Sequence, residues 1–209
     1  MEKRIRELCD RMLSARNGHA GDKPFTVAIS GIDASGKGYV TGLLEEELKQ
    51  RGFRVANINL DPWQNPTTVR LDKSKPAENF YEKVFRWDEV FEQLILPLKS
   101  SGSIHLEARL IRNDGDEGYP HTYQFEKIQF LLLDAILLLQ EEYIPLYDYK
   151  VWIECSFEQG LKRALKRNQE RLDEADIIRD YETYYYPAQR LHFDKDYPKA
   201  KADFIFDNG

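Results

Sequence analysis

Two periods of apolar and polar residues alternate along this chain, and the switches between them mark out its elements. Ile5, Leu8, Cys9, Met12 and Leu13 fall on one face of an N-terminal helix placed within residues 1–20. The connector NGHAGDKP gives way to FTVAIS, a short strand with β-branched residues that runs into a glycine-rich turn. A helix with Leu43, Leu44 and Leu48 inward is predicted to stop near Gly52, and RVANINL reads as a second buried strand ending at Asp61. The stretch from Asp61 to Lys83 is rich in Pro, Asn and Lys without a sustained period, which predicts a long loop of the kind that lines a site.

RWDEVFEQLILPLKSSG returns to a helical pattern, and SIHLEARLI alternates as a strand should. RNDGDEGYPHTYQ reads as turn-rich. KIQFLLLD and YKVWIEC are buried strands, the first closed by Asp134. A helix follows over FEQGLKRALKRNQERL, with Leu161, Ala164, Leu165 and Leu172 as its core-facing stripe. EADIIRDYETYYYPAQRLHF reads as a long helix and ADFIFDN as a last strand. Strands alternating with helices predict an α/β architecture, a mostly parallel central sheet with helices on both faces.

Composition narrows the picture. A length of 209 residues suits a single domain. A hydrophobic share of 42% beside 32% charged residues excludes extended disorder, and a net charge of -6 without a long basic run argues against nucleic acid or an acidic membrane surface as a partner. The first residues have no apolar core of the signal-peptide type, and the longest apolar run, FLLLDAILLL, is too short to span a bilayer, so the chain is expected in the cytoplasm. Cys9 and Cys155 stand far apart, as two reduced, buried thiols would.

The candidate chemistry begins at SGIDASGKGYV. Gly31, four residues, then Gly36 and Lys37 match a phosphate-binding loop, and the context of strand before and helix after is the one in which backbone N–H groups and a helix N-terminus surround a polyphosphate. The candidate nucleotide-binding residues are Gly31, Asp33, Ala34, Ser35, Gly36, Lys37, Gly38 and Tyr39. Gly38 stands where the motif asks for Ser or Thr. Asp61 and Asp134 close strands at the edge where ligands bind in parallel sheets. Asp61 is a candidate general base or a turn cap before Pro62, and both carboxylates are candidate Mg²⁺ ligands. Arg163, Arg167 and Arg171 recur every four residues, as a solvated stripe or as cations closing over a transferring phosphate.

Together these segments resemble the uridine kinase-like family of P-loop kinases over nearly the whole chain. VAISGIDASGKG is similar to the family's nucleotide loop, INLDPW to its second strand, ENFYEKVFRWDEVFEQLILPL to a stretch of its bacterial branch, LLLDAILL to the strand with the second acidic residue, LKRALKRN to the start of the lid, and YYYPAQRLHF with KADFIFDN to the close. The resemblance implies a three-layer P-loop fold with a helical lid over about residues 156–192. It also implies ATP and Mg²⁺ as cofactors and phosphate transfer to a small hydroxyl-bearing substrate, first of all a uridine- or cytidine-like nucleoside. Lys37 would touch the phosphates, Asp61 take the hydroxyl proton, Asp134 support Mg²⁺, and Arg163 or Arg167 act from the lid. Gly38, Tyr39 and ARLIRNDGDEGYPHTY depart from the family's pattern. A nucleotide-binding regulator with impaired catalysis and a kinase for a non-nucleoside hydroxyl therefore stay open, as does a homo-oligomer.

Overall fold

In the computed structural model, which describes residues 1–18, 23–112, 116–168 and 171–209, five parallel strands form one sheet. These are β1 (Phe25–Gly31), β2 (Val55–Asn59), β5 (Phe130–Asp134), β6 (Tyr149–Glu154) and β7 (Phe204–Asp207), in the order β2-β5-β1-β6-β7. A separate antiparallel ribbon pairs β3 (Ile104–Ile111) with β4 (Gly118–Phe125). The helices are α1 (Glu2–Arg16), α2 (Lys37–Gln50), α3 (Thr67–Arg70), α4 (Pro76–Lys83), α5 (Trp87–Val90), α6 (Leu96–Ser101), α7 (Phe157–Arg167), α8 (Glu174–Asp180), α9 (Tyr186–Asp196) and α10 (Pro198–Lys201).

The period of two along β1 divides the core. Val27 and Ile29 face α1 and α2, where Leu8, Met12, Leu44 and Leu48 are fully buried, whereas Ala28 faces the opposite layer with Trp63, Leu94 and Ala188. Both faces of the sheet are thus covered, which is why β1 and β5 are buried at every position and show no simple alternation. Two helical rods carry a π-turn, Phe91–Ile95 between α5 and α6 and Tyr181–Tyr185 between α8 and α9. In each, a proline follows by two residues, Pro97 or Pro187, whose missing N–H and ring bulk break the regular ladder.

Four expectations change. The stretch 61–83 is not a loop: it holds a 3₁₀ turn at Asp61–Trp63, then α3 and α4. Their shortness hides the helical period. Most of the stretch read as turn-rich is β4, whose Gly118, Pro120 and polar residues mask the alternate core-facing Tyr119, Tyr123 and Phe125, while 113–115 lie outside the described residues. Helix α7 ends at Arg167 because Asn168 turns left-handed at φ 39°, so Leu172 is exposed instead of core-facing. Arg171, at φ 56°, lies beyond the helix, and the three-arginine stripe does not form. The centre of the first connector, 19–22, is outside the described residues, as are 169–170. Both cysteines are free and buried, as expected.

Candidate active site

Strand pairing sets the frame of the site. The ends of β1, β5 and β2 lie on one rung, with Ile29 and Asn59 both opposite Asp134. The chain leaves β1 at Gly31, turns through Ala34 at φ 53° and Gly36 at φ 91°, and enters α2 at Lys37. A Cβ at Gly31 would stand 2.7 Å from the Ile153 carbonyl oxygen and 2.8 Å from the Ser35 hydroxyl, so only glycine fits there. At Gly36 the left-handed φ coincides with the close approach of the Asn208 amide, a second reason for glycine. Lys37 folds back over the loop, its ammonium donating to the Ile32 carbonyl at 3.1 Å.

A cleft of 470 Å³ opens above this loop, lined by Gly36, Lys37, Gly38, Asp61, Asp134 and Arg167 among others. Asp33, Ala34 and Tyr39 also border it, Tyr39 with an otherwise exposed ring. The two strand-end carboxylates and the loop lysine, far apart in sequence, therefore share one space. A larger cleft of 620 Å³ lies beyond Phe85, around Trp87 and Tyr143, and none of its lining residues belongs to the loop. Chemistry, not size, singles out the loop cleft.

The turn that carries Asp61 is rigidly held. Its backbone N–H donates to Asn59 Oδ1 at 2.8 Å, and the buried Trp63 donates from Nε1 to the Tyr123 hydroxyl at 2.9 Å. Asp61 is partly exposed, yet desolvation dominates its electrostatics and raises its carboxyl above the ordinary range; Lys37 opposes that and Asp33 adds to it. Asp134 is 3% exposed, and burial pushes its carboxyl up to about 7, with Lys37 lowering it and Asp61 raising it. Its Oδ2 accepts from Asn59 Nδ2 at 3.4 Å, and its buried Oδ1 has no protein partner.

That unpaired oxygen is the test of whether the site fits Mg²⁺. A Cβ at residue 38 would stand 3.2 Å from Asp134 Oδ2, so the glycine leaves the space beside the carboxylate open where Ser or Thr would fill it. A buried carboxylate with one oxygen unpaired and the other beside the gap at Gly38, next to a phosphate loop, suits a cation that keeps most of its waters and takes one or two carboxylates, which describes Mg²⁺ with a nucleotide. Among the described residues no group of three or more His, Cys, Asp or Glu could hold a metal by itself.

The two lid arginines part company. Arg167 lies 3.8 Å from Asp33 Oδ2 and borders the cleft, and the Tyr181 hydroxyl donates to the same Asp33 oxygen, tying the lid to the loop. Arg163 instead reaches behind the loop, where its guanidinium donates to the Ser35 carbonyl at 3.2 Å and the Asn208 carbonyl at 2.6 Å. Asn208 Nδ2 donates to that Ser35 oxygen at 2.7 Å. Sequence reasoning missed Asn208, Tyr181 and Arg70, which lines the pocket beyond Asp61. The FDN close was visible, but nothing local joins it to a loop some 170 positions earlier.

No protein-family model and no curated protein matches the sequence. Solved structures do. A possible uridine kinase from Bacillus stearothermophilus superposes with a TM-score of 0.78 at 19% identity, covering 98% of each chain. A candidate fructose transport system kinase from Silicibacter sp. TM1040 gives 0.77 at 16% identity, over 97% of this chain and 98% of that one. This chain has the P-loop fold of these two proteins. A D-glycerate 3-kinase from Cryptococcus neoformans shares that fold at a TM-score of 0.65 and 14% identity, over 98% of this chain and 95% of that one. The three names differ while the fold is one, and a fold by itself does not fix a substrate.

Proposed function

We propose that the protein is an ATP-dependent kinase that phosphorylates a hydroxyl group on a small molecule in the cytoplasm. The observation that carries this reading is the meeting of Lys37, Asp61 and Asp134 in one cleft over the phosphate loop. A protein that only held a nucleotide would need no carboxylate beyond the metal, whereas Asp61 sits between the phosphate cleft and a second pocket lined by Gln64, Arg70, Phe80 and Tyr185.

The loop amides and the Lys37 ammonium hold the outer phosphates of ATP. Asp134, with Asp61 nearby, would hold Mg²⁺, which supplies charge neutralisation on the phosphates. The acceptor hydroxyl lies in the second pocket, and its proton passes to the Asp61 carboxylate as the new O–P bond forms and the bond from the γ-phosphorus to the bridging oxygen breaks, leaving ADP. Desolvation raises the basicity of Asp61, which helps it take a proton near neutral pH. Arg167, free to move in solvent on one side, adds positive charge from the lid.

Two substitutions separate these roles. Lys37→Ala weakens ATP binding, measured by calorimetry, while Asp61→Asn leaves it nearly intact and removes ADP release with acceptor. Equal loss of ATP affinity in both would refute the division. Uridine and cytidine, the acceptors the resemblance implies, belong in the first assay.

A further inference from the structure

The second pocket holds a feature that phosphate transfer alone does not require. It is narrow, 60 Å³, and Phe80, Phe85, Ile136 and Tyr185 give it apolar walls. Against them lies Arg70, 6% exposed. Among the described residues no carboxylate stands within ion-pair distance of it, and only its Nε has a hydrogen-bond acceptor there, the Asn65 carbonyl at 3.1 Å. The other charged groups in the pocket are accounted for. Asp33 is met by Arg167 and Tyr181, and Asp61 feels Lys37. Asp116 lies outside ion-pair distance; its two oxygens accept from the Thr67 N–H and hydroxyl, which outweigh desolvation and lower its carboxyl, and Arg70 adds to that only at longer range.

A buried guanidinium with no carboxylate in contact among the described residues is costly, and its cost is offset when a ligand supplies an oxyanion. The placement is also rigid. Asn65 donates through Nδ2 to the Lys83 and Phe85 carbonyls, and its own N–H donates to Val84, so the strut behind Arg70 is fixed on two sides. We propose that Arg70 makes this pocket select acceptors that carry an oxyanion, a carboxylate or a phosphate monoester, beside the hydroxyl that is phosphorylated. The inference rests on the kinase reading above and replaces a neutral nucleoside with a compact anionic hydroxy compound. Arg70 anchors the anion, the apolar walls enclose the carbon chain, and the free hydroxyl is left toward Asp61.

The test measures ADP release from Mg·ATP by the full chain with matched acceptors: glycerate and erythronate, glycerol 3-phosphate and ribose 5-phosphate, the neutral glycerol, glyceramide and ribose, and uridine. The expected result is a preference of at least about tenfold in kcat/KM for an anionic acceptor over its neutral counterpart, the size of one charged hydrogen bond. The carboxylate and phosphate arms decide between the two anions. Arg70→Met raises the KM for that acceptor about ten- to a hundredfold, leaves the KM for ATP in place and flattens the discrimination; Arg70→Lys restores part of it. Equal rates for acid and amide in the parent, or a uridine preference untouched by Arg70→Met, would overturn the proposal. The parent comparison decides even if Arg70→Met does not fold. If no acceptor is turned over, the kinase reading fails separately. Calorimetry of the same anions with a non-hydrolysable ATP analogue then tests Arg70 alone: binding by the parent and not by Arg70→Met upholds it, and no binding by the parent overturns it.

Discussion

Replacing Asp134 by Asn should stabilise the free protein while disabling it, and the gain should grow with pH. In the native state the Asp134 carboxyl lies near 7 rather than at its ordinary 3.8, chiefly because it is buried. The sign follows directly. Below about pH 4 both folded and unfolded chains carry the proton and nothing is lost; between 4 and 7 the unfolded chain ionises first, so stability falls; above 7 the loss is complete. Roughly three pKa units at about 1.4 kcal/mol each make that loss about 4 kcal/mol, an upper figure. Asn keeps the shape without the charge, so the difference in unfolding free energy between variant and parent should widen by about 3 kcal/mol from about pH 5 to about pH 8. Urea unfolding of both proteins without nucleotide measures it, and other titrating groups cancel in the difference. A gap unchanged with pH within about 0.5 kcal/mol would refute the claim that Asp134 is a strained buried carboxylate. With Mg²⁺ and ADP present the parent should recover much of the loss and the variant should not, because only the parent has the anion that a cation neutralises.

The loop offers two further checks. Gly38→Ser should lower the Mg²⁺ concentration for half-maximal turnover, because its hydroxyl would stand beside Asp134 Oδ2 and could replace one water of the cation, while Gly38→Ala, which brings only the Cβ crowding at 3.2 Å, should not; coincident Mg²⁺ titrations for parent and Ser variant would show that residue 38 plays no part. Gly36→Ala should lower the melting temperature and abolish ATP binding in calorimetry, since φ 91° strains any side chain and the new Cβ meets Asn208; normal affinity would mean that the C-terminal strand end does not brace the loop.

What could be read from the sequence was what is buried on a fixed period. Strands β1, β5 and β6 read as mostly apolar runs because both faces of the sheet are covered, and the inner face of α1 repeats at helical spacing. Phosphate loop and strand-end carboxylates were visible for a related reason: each is tied to the end of such a strand. Strand β4 was not: its inner side is carried by Tyr119, Tyr123 and Phe125 between polar and turn residues, so it read as a turn. Nor were α3 and Arg70, because a four-residue helix has no period to detect and a lone Arg between Val69 and Leu71 carries no local sign of burial. Arg163 and Arg167 looked equivalent on one helical stripe, and only the positions of Ser35, Asn208 and Asp33 around α7 assign one to the back of the loop and the other to the cleft.

The central claim is transfer of phosphate to a hydroxyl, and ³¹P NMR observes it directly. The chain is incubated with Mg·ATP and the panel of neutral and anionic hydroxyl compounds, and each mixture is followed for ADP and for a new phosphomonoester resonance coupled to carbon-bound protons of the acceptor. The account predicts that resonance with at least one acceptor, in step with ADP, and its disappearance in Asp61→Asn. Bound ATP that stays intact with every acceptor, or ADP that appears only with inorganic phosphate, would contradict it.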